Sequence, residues 1–340
     1  MHRQVAAILC LLVSSAHAAD AAREFGSGFY TGLSMSVVQV RLANAEGKRF
    51  FGSGVVVGPN EVVTNCHVTR NAKRIEVAKG ALVFHVFGQK TDIEHDLCLL
   101  RTEAMPLRVV QLRDSNTVKP GEHSFFYGYS GGVEAFFAPG RVATLHPHDG
   151  AAVFETSSGF ALGGSGGGLF DSEGRLIGIT TFLAAGHSGG YFAMPTDFIH
   201  ALRKQPEREI APVDGLALWE KADRDQPWFL RVARLTAQSR WPEAGELAVE
   251  WTRAEPDNAD AWHQAGVSLL RSERAADALA LLQRADALHP DHPDILFHMA
   301  LAQSRAGTPE GAREARDRLA RADASLLPRL DEVLGCSAYC

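Results

Sequence analysis

The chain has little of what would assign it to several large classes. Cysteine is scarce, five in 340 residues, and no two stand at CxxC spacing, so a structural zinc site is not expected. No apolar run reaches the length of a transmembrane helix. Neither sign of charge dominates: 34 basic against 40 acidic residues leave a net charge of -6, which gives no electrostatic footprint for nucleic acid. A nucleic-acid partner is therefore not expected. What is present is ordinary globular material, 46% hydrophobic, which is enough to bury a sizeable core over two or three domains.

The first residues read as an export signal over 1–18. Met1-His2-Arg3 is a short basic start, residues 5–13 are apolar, and Ala16-His17-Ala18 has the small-x-small form of a cleavage site. The mature chain is expected to begin near Ala19, in the periplasm or outside the cell, with no membrane span once the signal is removed. Cys10 leaves with the signal, and Cys66, Cys98, Cys336 and Cys340 remain, an even number compatible with disulfides in an exported protein.

From about residue 34 to 193 the pattern is one of short β-branched and aromatic runs: 37–42, 50–57, 61–64, 81–87, 97–101, 124–129, 135–145, 152–156 and 176–183. Glycine, proline and asparagine turns separate them, Asp171-Ser172-Glu173-Gly174 reading as a hairpin turn. Strands at this spacing without intervening helices predict a sandwich or barrel.

Three stretches in this region carry chemistry. Gly163-Gly164-Ser165-Gly166-Gly167-Gly168 holds one serine among five glycines, which let the backbone turn sharply and leave amide N–H groups free to face a negative oxygen. Val63-Thr64-Asn65-Cys66-His67-Val68 runs a strand into a turn bearing a histidine, able to take a hydroxyl proton near neutral pH. His95-Asp96-Leu97-Cys98-Leu99-Leu100 opens an apolar strand with an acid, which when partly buried needs a hydrogen-bonding partner. Each alone reads equally well as a surface turn or a satisfied core residue.

Together, and in the order His, Asp, Ser, they resemble the chymotrypsin-like serine proteases, and within them the bacterial HtrA/Deg-type trypsin-like proteins. Gly52-Ser53-Gly54-Val55-Val56-Val57 leading to His67 looks like the family's histidine block. Gly178-Ile179-Thr180-Thr181 and Tyr191-Phe192-Ala193-Met194-Pro195 are similar to the strands after its nucleophile. The resemblance spans about 37–202 and implies a double β-barrel, with Ser165 attacking, His67 moving the proton and Asp96 holding the imidazole. It implies an oxyanion hole at Gly163, Gly164 and Ser165, built from the N–H groups of Gly163 and Ser165, with Thr181 supporting the aspartate. Cys66 adjoins His67, and Cys98 lies two residues past Asp96 on the same strand face. If Asp96 reaches His67, these cysteines are close enough for a disulfide. Cys336 and Cys340 are left to pair separately or not.

Gly164 stands where the family usually has Asp or Asn, and Gly168 where it usually has Pro, so activation by a freed N-terminus is not expected. The added glycine predicts a mobile loop whose oxyanion hole forms fully only with substrate or a partner. The substrate pocket by the same resemblance involves Gly159, Phe182 and Gly190, all uncharged, which favours small or apolar side chains. Gly163-x-Ser165-x-Gly167 also fits the α/β-hydrolase elbow, but that motif needs a helix after the serine, and here a strand follows.

Thr196 is placed as the N-cap of a closing helix over 196–202. A linker is expected over 206–224, between a protease domain at 30–205 and helical repeats at 225–325, with a tail at 326–340. The repeats have a 34-residue period: Trp228 and Trp262, Ala244 and Ala278, Pro256 and Pro290. Trp262, Ala265, Gly266, Leu269, Ala278, Leu282, Ala285 and Pro290 resemble the tetratricopeptide (TPR) pattern, and a third unit loses the pattern after Ala312. Such arrays commonly bind extended peptides. The sequence is thus read as a multidomain protein, an all-β double barrel plus an all-α TPR array. The function expected is an exported serine endopeptidase with a protein or peptide substrate and a protein partner on the array. A catalytically weak protease-like scaffold is the alternative. No cofactor and no metal are assigned.

Overall fold

The computed structural model describes residues 28–131, 134–184 and 190–335. The predicted export signal and Cys336 and Cys340 lie outside them. The chain divides into two compact units, one ending with Tyr191–Lys221 and the other running from Ala222.

The first unit is the expected pair of closed, six-stranded antiparallel barrels. The first contains β1 (Val37–Ala43), β2 (Arg49–Gly58), β3 (Glu61–Asn65), β4 (Arg74–Lys79), β5 (Leu82–Asp92) and β6 (Leu97–Thr102), in the order β1-β2-β3-β6-β5-β4. Its interior is a set of β-branched side chains, Val38, Val40, Val56, Val62, Ile75 and Val77 among them, which pack well on a pleated surface. Burying each such side chain contributes about 1.5–3 kcal/mol before entropy is counted. The second barrel contains β7 (His123–Gly128), β8 (Phe136–His148), β9 (Ala151–Thr156), β10 (Gly168–Phe170), β11 (Leu176–Leu183) and β12 (Tyr191–Pro195). Phe154, Leu169 and Ile177 fill its centre. The β10–β11 hairpin turns where expected: the Gly174 amide donates to the Asp171 carbonyl at 3.0 Å.

A short helix, Asp197–Leu202, follows the second barrel. Thr196 precedes it but makes no side-chain cap bond; its hydroxyl donates to the Arg113 carbonyl at 2.8 Å. Its backbone is already helical, φ -63° and ψ -21°, whereas a capping residue is extended, and this turns the hydroxyl oxygen away from the helix N–H groups. The residues after it, predicted as a linker, lie along the first barrel. Arg208 forms an antiparallel bridge with Gln89, and Ala217 and Leu218 are fully buried.

In the second unit, helices Trp241–Ala254, Ala275–Leu288 and Pro309–Asp323 begin 34 residues apart, and Ala259–Arg271 and Pro293–Arg305 repeat the interval. Ala278 and Gly266 are small where helices meet: a Cβ at Gly266 would lie 2.7 Å from the Leu282 side chain. The third pair persists beyond Ala312, where the sequence pattern was expected to fade. Its second helix is mostly charged and buries only Ala315 and Leu319, while Arg318 pairs with Asp286 and Arg316 with Asp331, contacts that an apolar pattern does not reveal. Among the described residues no helix is long and apolar enough to cross a membrane.

Candidate active site

β3 ends at Asn65 and delivers His67 on a single helical turn, Cys66–Thr69, while β6 begins directly after Asp96. Asp96 sits at φ 56°, in the left-handed region that Asp tolerates better than most residues, at the end of a turn closed by its own amide to the Ile93 carbonyl. The bent backbone aims the carboxylate at the histidine. Oδ2 lies 2.5 Å from His67 Nδ1, and Oδ1 accepts the His67 amide at 2.7 Å. The carboxylate is completely buried, and a charge there is tolerable only when its lone pairs are met.

A third donor meets it, one that the sequence reading missed. Trp219 Nε1 donates to Asp96 Oδ2 at 3.0 Å, and the indole stands edge-on to the His67 ring, centroids 5.4 Å apart. Nothing in the local sequence marks Trp219, because it reaches the site through a chain reversal 123 residues after Asp96. Thr181, expected to support the aspartate, does not bond it. The Thr181 hydroxyl donates to the Ile179 carbonyl and accepts from Asn65 Nδ2, which also donates to the Asp96 carbonyl oxygen. Asn65 thus ties the two barrels behind the histidine.

Ser165 is fixed from both sides. Ser53 of β2 donates its amide to the Ser165 carbonyl and its hydroxyl to the Gly163 carbonyl, each at 2.8 Å. Gly163 and Gly166 have φ of 90° and 83°, and a Cβ on Gly166 would meet the Ser53 carbonyl oxygen at 2.1 Å. Gly164 is closed in too: a Cβ there would lie 2.9 Å from both the Ala161 oxygen and the Phe160 side chain. These glycines leave room for the loop to pack against Ser53, Phe160 and Ala161. The Gly164 amide donates to the Ala161 carbonyl and so is not available to an oxyanion. Among the described residues, the amides of Gly163 and Ser165 are spent on no acceptor.

His67 and Ser165 line one cleft of about 290 Å³. The Ser165 hydroxyl donates to the Thr181 carbonyl at 3.3 Å. The remaining walls are apolar, chiefly Phe50, Phe51, Val68 and Leu162, the last 90% exposed. Gly159, Phe182 and Gly190, expected as pocket residues, are not among these walls. Gly159 lies against the Tyr191 ring, Phe182 stacks between Phe192 and Trp219, and Gly190 accepts the Ala184 amide.

Cys66 and Cys98 are joined, their α-carbons 4.9 Å apart, Cys66 beside His67 on its helical turn and Cys98 two residues past Asp96 on β6. Closing a loop of 32 residues contributes about 3.7 kcal/mol on a chain-entropy estimate. Peptide mapping without reductant of protein from an oxidising compartment should recover the two cysteines linked, and reduction should lower the melting temperature. Recovery of both as free thiols rejects the bond.

Residues 52–179 match the family model of the trypsin-like peptidase domain, and 269–333 match that of the tetratricopeptide repeat. A protein of Marinomonas sp. (strain MWYL1) named "Probable periplasmic serine endoprotease DegP-like" is 32% identical over 156 residues, which are 43% of this chain and 33% of that protein. A protein of Pseudomonas putida (strain GB-1) with the same name is 33% identical over 159 residues, 43% of this chain and 32% of its own. The chain spans about a third of the length of the curated relatives it matches. Among solved structures, the Rv3671c protease from M. tuberculosis in its active form is 22% identical and covers 56% of this chain and 88% of its own, with a TM-score of 0.48. The chain therefore carries a trypsin-like peptidase domain, similar in sequence to those of DegP-like serine endoproteases, followed by tetratricopeptide repeats.

Proposed function

We propose that the protein is an exported serine endopeptidase whose helical repeats bind a protein or peptide partner. One observation carries the catalytic half: a buried carboxylate on His67 Nδ1, with Ser165 in the same cleft beside two unspent amides. In the reaction proposed, Ser165 Oγ forms a bond to the carbonyl carbon of the scissile peptide as its proton passes to His67 Nε2. The carbonyl oxygen takes the negative charge between the amides of Gly163 and Ser165. The carbon–nitrogen bond then breaks, the leaving amine takes the proton from His67, and water releases the acyl group by the same route in reverse. Asp96 keeps the proton on Nδ1 and balances the imidazolium.

Export is supported by the N-terminal pattern, by a cysteine pair beside the triad and by relatives named periplasmic. The apolar walls Phe50, Phe51 and Leu162 favour apolar substrate side chains beside the scissile bond. The alternative, a catalytically weak scaffold, is favoured by the Ser165 hydroxyl being bonded to Thr181. A serine-directed fluorophosphonate separates the two readings. The expected result is an adduct on Ser165, with labelling and proteolysis both abolished by Ser165→Ala at unchanged melting temperature. A folded protein without that adduct is a scaffold.

A further inference from the structure

The segment between the second barrel and the helical repeats is laid onto the first barrel by a series of specific contacts. Gln89 and Arg208 exchange backbone hydrogen bonds at 2.8 and 2.9 Å, the Val213 amide donates to the Arg70 carbonyl, and the Leu218 amide donates to the Glu94 carbonyl. Arg70 closes the far end with an ion pair to Glu220 at 2.5 Å, and Lys221 pairs with Glu94 at 2.6 Å. Arg70 immediately follows the turn that bears His67, and Glu94 lies two residues before Asp96. The strap is thus fastened to both segments that present the histidine–aspartate pair, and Trp219 lies between the two fastenings.

We propose that Trp219 is a positioning residue of this pair, so that the catalytic unit is complete only with a side chain from beyond the β-barrels. The inference rests on the peptidase reading of the same site. Asp96 Oδ2 accepts two N–H groups, one from the imidazole and one from the indole. The indole is a neutral donor that cannot titrate. It occupies a second lone pair of the buried Oδ2 and fixes the direction from which the imidazole meets it. The ring does a second job. It stands at 89° to the His67 ring and stacks on Phe182 at 29° with centroids 5.8 Å apart. An imidazole hinged at Nδ1 can still swing, and an aromatic edge packed against it removes part of that freedom. Effective concentration at the serine falls steeply when such a group is misplaced by as little as an ångström.

The N–H and ring contributions are separable in the full-length protein. Trp219→Phe keeps an aromatic ring against His67 and removes the donor. The expected result is a fall in kcat of about tenfold, the usual size for a lost hydrogen bond to a charged group, with KM changed less than about twofold. The far-downfield proton resonance of His67 Nδ1 should also move. Trp219→Ala removes the ring as well and should cost about a further tenfold in kcat. Trp219→Gln, which restores an N–H donor, should recover part of the loss relative to alanine.

A residue that only stabilised the fold would lower the melting temperature while leaving kcat and the resonance of the folded protein unchanged, and that outcome overturns the proposal. Should Trp219→Phe not fold, the wild-type protein decides through the Trp219 indole proton. Slow exchange with solvent and a shift in Asp96→Asn support the contact, whereas exchange as fast as that of an exposed indole rejects it. Should the wild-type protein fail to label at Ser165 with fluorophosphonate, the peptidase reading falls. The Nδ1 resonance in wild type and Trp219→Phe still decides the contact by itself.

Discussion

Asp96→Asn should lower proteolysis by about ten-thousandfold while Ser165 and His67 remain in place. The carboxylate takes three N–H groups, from the His67 backbone, the His67 ring and the Trp219 indole. An asparagine has only one acceptor oxygen. If that oxygen faces the backbone amide, its NH2 group opposes both ring donors; if it faces the rings, the NH2 opposes the backbone amide. The first arrangement forces the imidazole proton to Nε2, where it can no longer accept from the serine. The second leaves a buried amide facing another donor, at a cost of about 1–3 kcal/mol in stability. Turnover of a casein-type protein substrate and thermal unfolding, measured together, test both effects. Activity within tenfold of wild type would remove Asp96 from the mechanism.

The helical repeats should lose stability steeply as pH falls below about 6, well before carboxylate titration unfolds an ordinary domain. Three histidines are responsible. Burial holds His263 down to a pKa of about 3, with His298 beside it lowering it further. Burial likewise holds His292 and His298 at about 4, against an ordinary value of 6.5. His298 Nδ1 lies 2.8 Å from the Asp294 carbonyl, which can only accept, so this nitrogen bears the proton. The same nitrogen is 3.0 Å from His263 Nε2, which must then be a bare lone pair. A proton added to His263 would set two donors face to face in a dry interior.

Between the lowered folded pKa values and 6.5 the unfolded chain binds more protons than the folded one. The stabilisation is therefore complete above about pH 6.5 and is lost as pH falls toward 3–4. Each histidine contributes up to about 1.4 kcal/mol per pH unit in that window. Thermal unfolding followed by helical circular dichroism from pH 7.5 to 4.5 should show the loss, and His263→Leu with His298→Leu should flatten it. A curve equally steep in that double variant would place the sensitivity elsewhere.

How much of this was legible depended on the reach of the interactions. The valine runs of β2 and β3 read directly as strands because β-branched residues favour a pleated surface, although burial there is continuous, from Gly52 to Gly58 and from Val62 to Asn65. β4 was missed because Arg-Ile-Glu-Val-Ala-Lys puts charges at both ends of a six-residue strand, and its pairing with β1 decides its state. Ser165, His67 and Asp96 each sit beside a recognisable local feature: a glycine loop, a polar turn, and an acid opening an apolar strand. Their association could be read from order and resemblance alone. Trp219 could not, since the contact that gives it meaning depends on strap residues whose composition reads as a linker. Gly164 is ambiguous for a related reason. A glycine is silent about whether it supplies freedom or makes room, and only the neighbouring Phe160 and Ala161 show that here it makes room.

The hydroxyl of Ser165 donates to the Thr181 carbonyl, and it must turn about a single torsion before it can donate to His67. Rotation about one staggered torsion takes place in picoseconds to nanoseconds, far faster than turnover. The resting state therefore introduces no slow step. Its effect is to scale the encounter rate with substrate by the fraction of molecules whose hydroxyl already faces His67. A preference for the resting rotamer of about 1.4 kcal/mol would lower that rate tenfold and leave the chemistry after binding unchanged. A peptide whose carbonyl fills the site between the Gly163 and Ser165 amides can offset this preference by favouring the other rotamer. The setting of a single torsion thus scales how often an arriving chain meets a serine whose hydroxyl already faces the base.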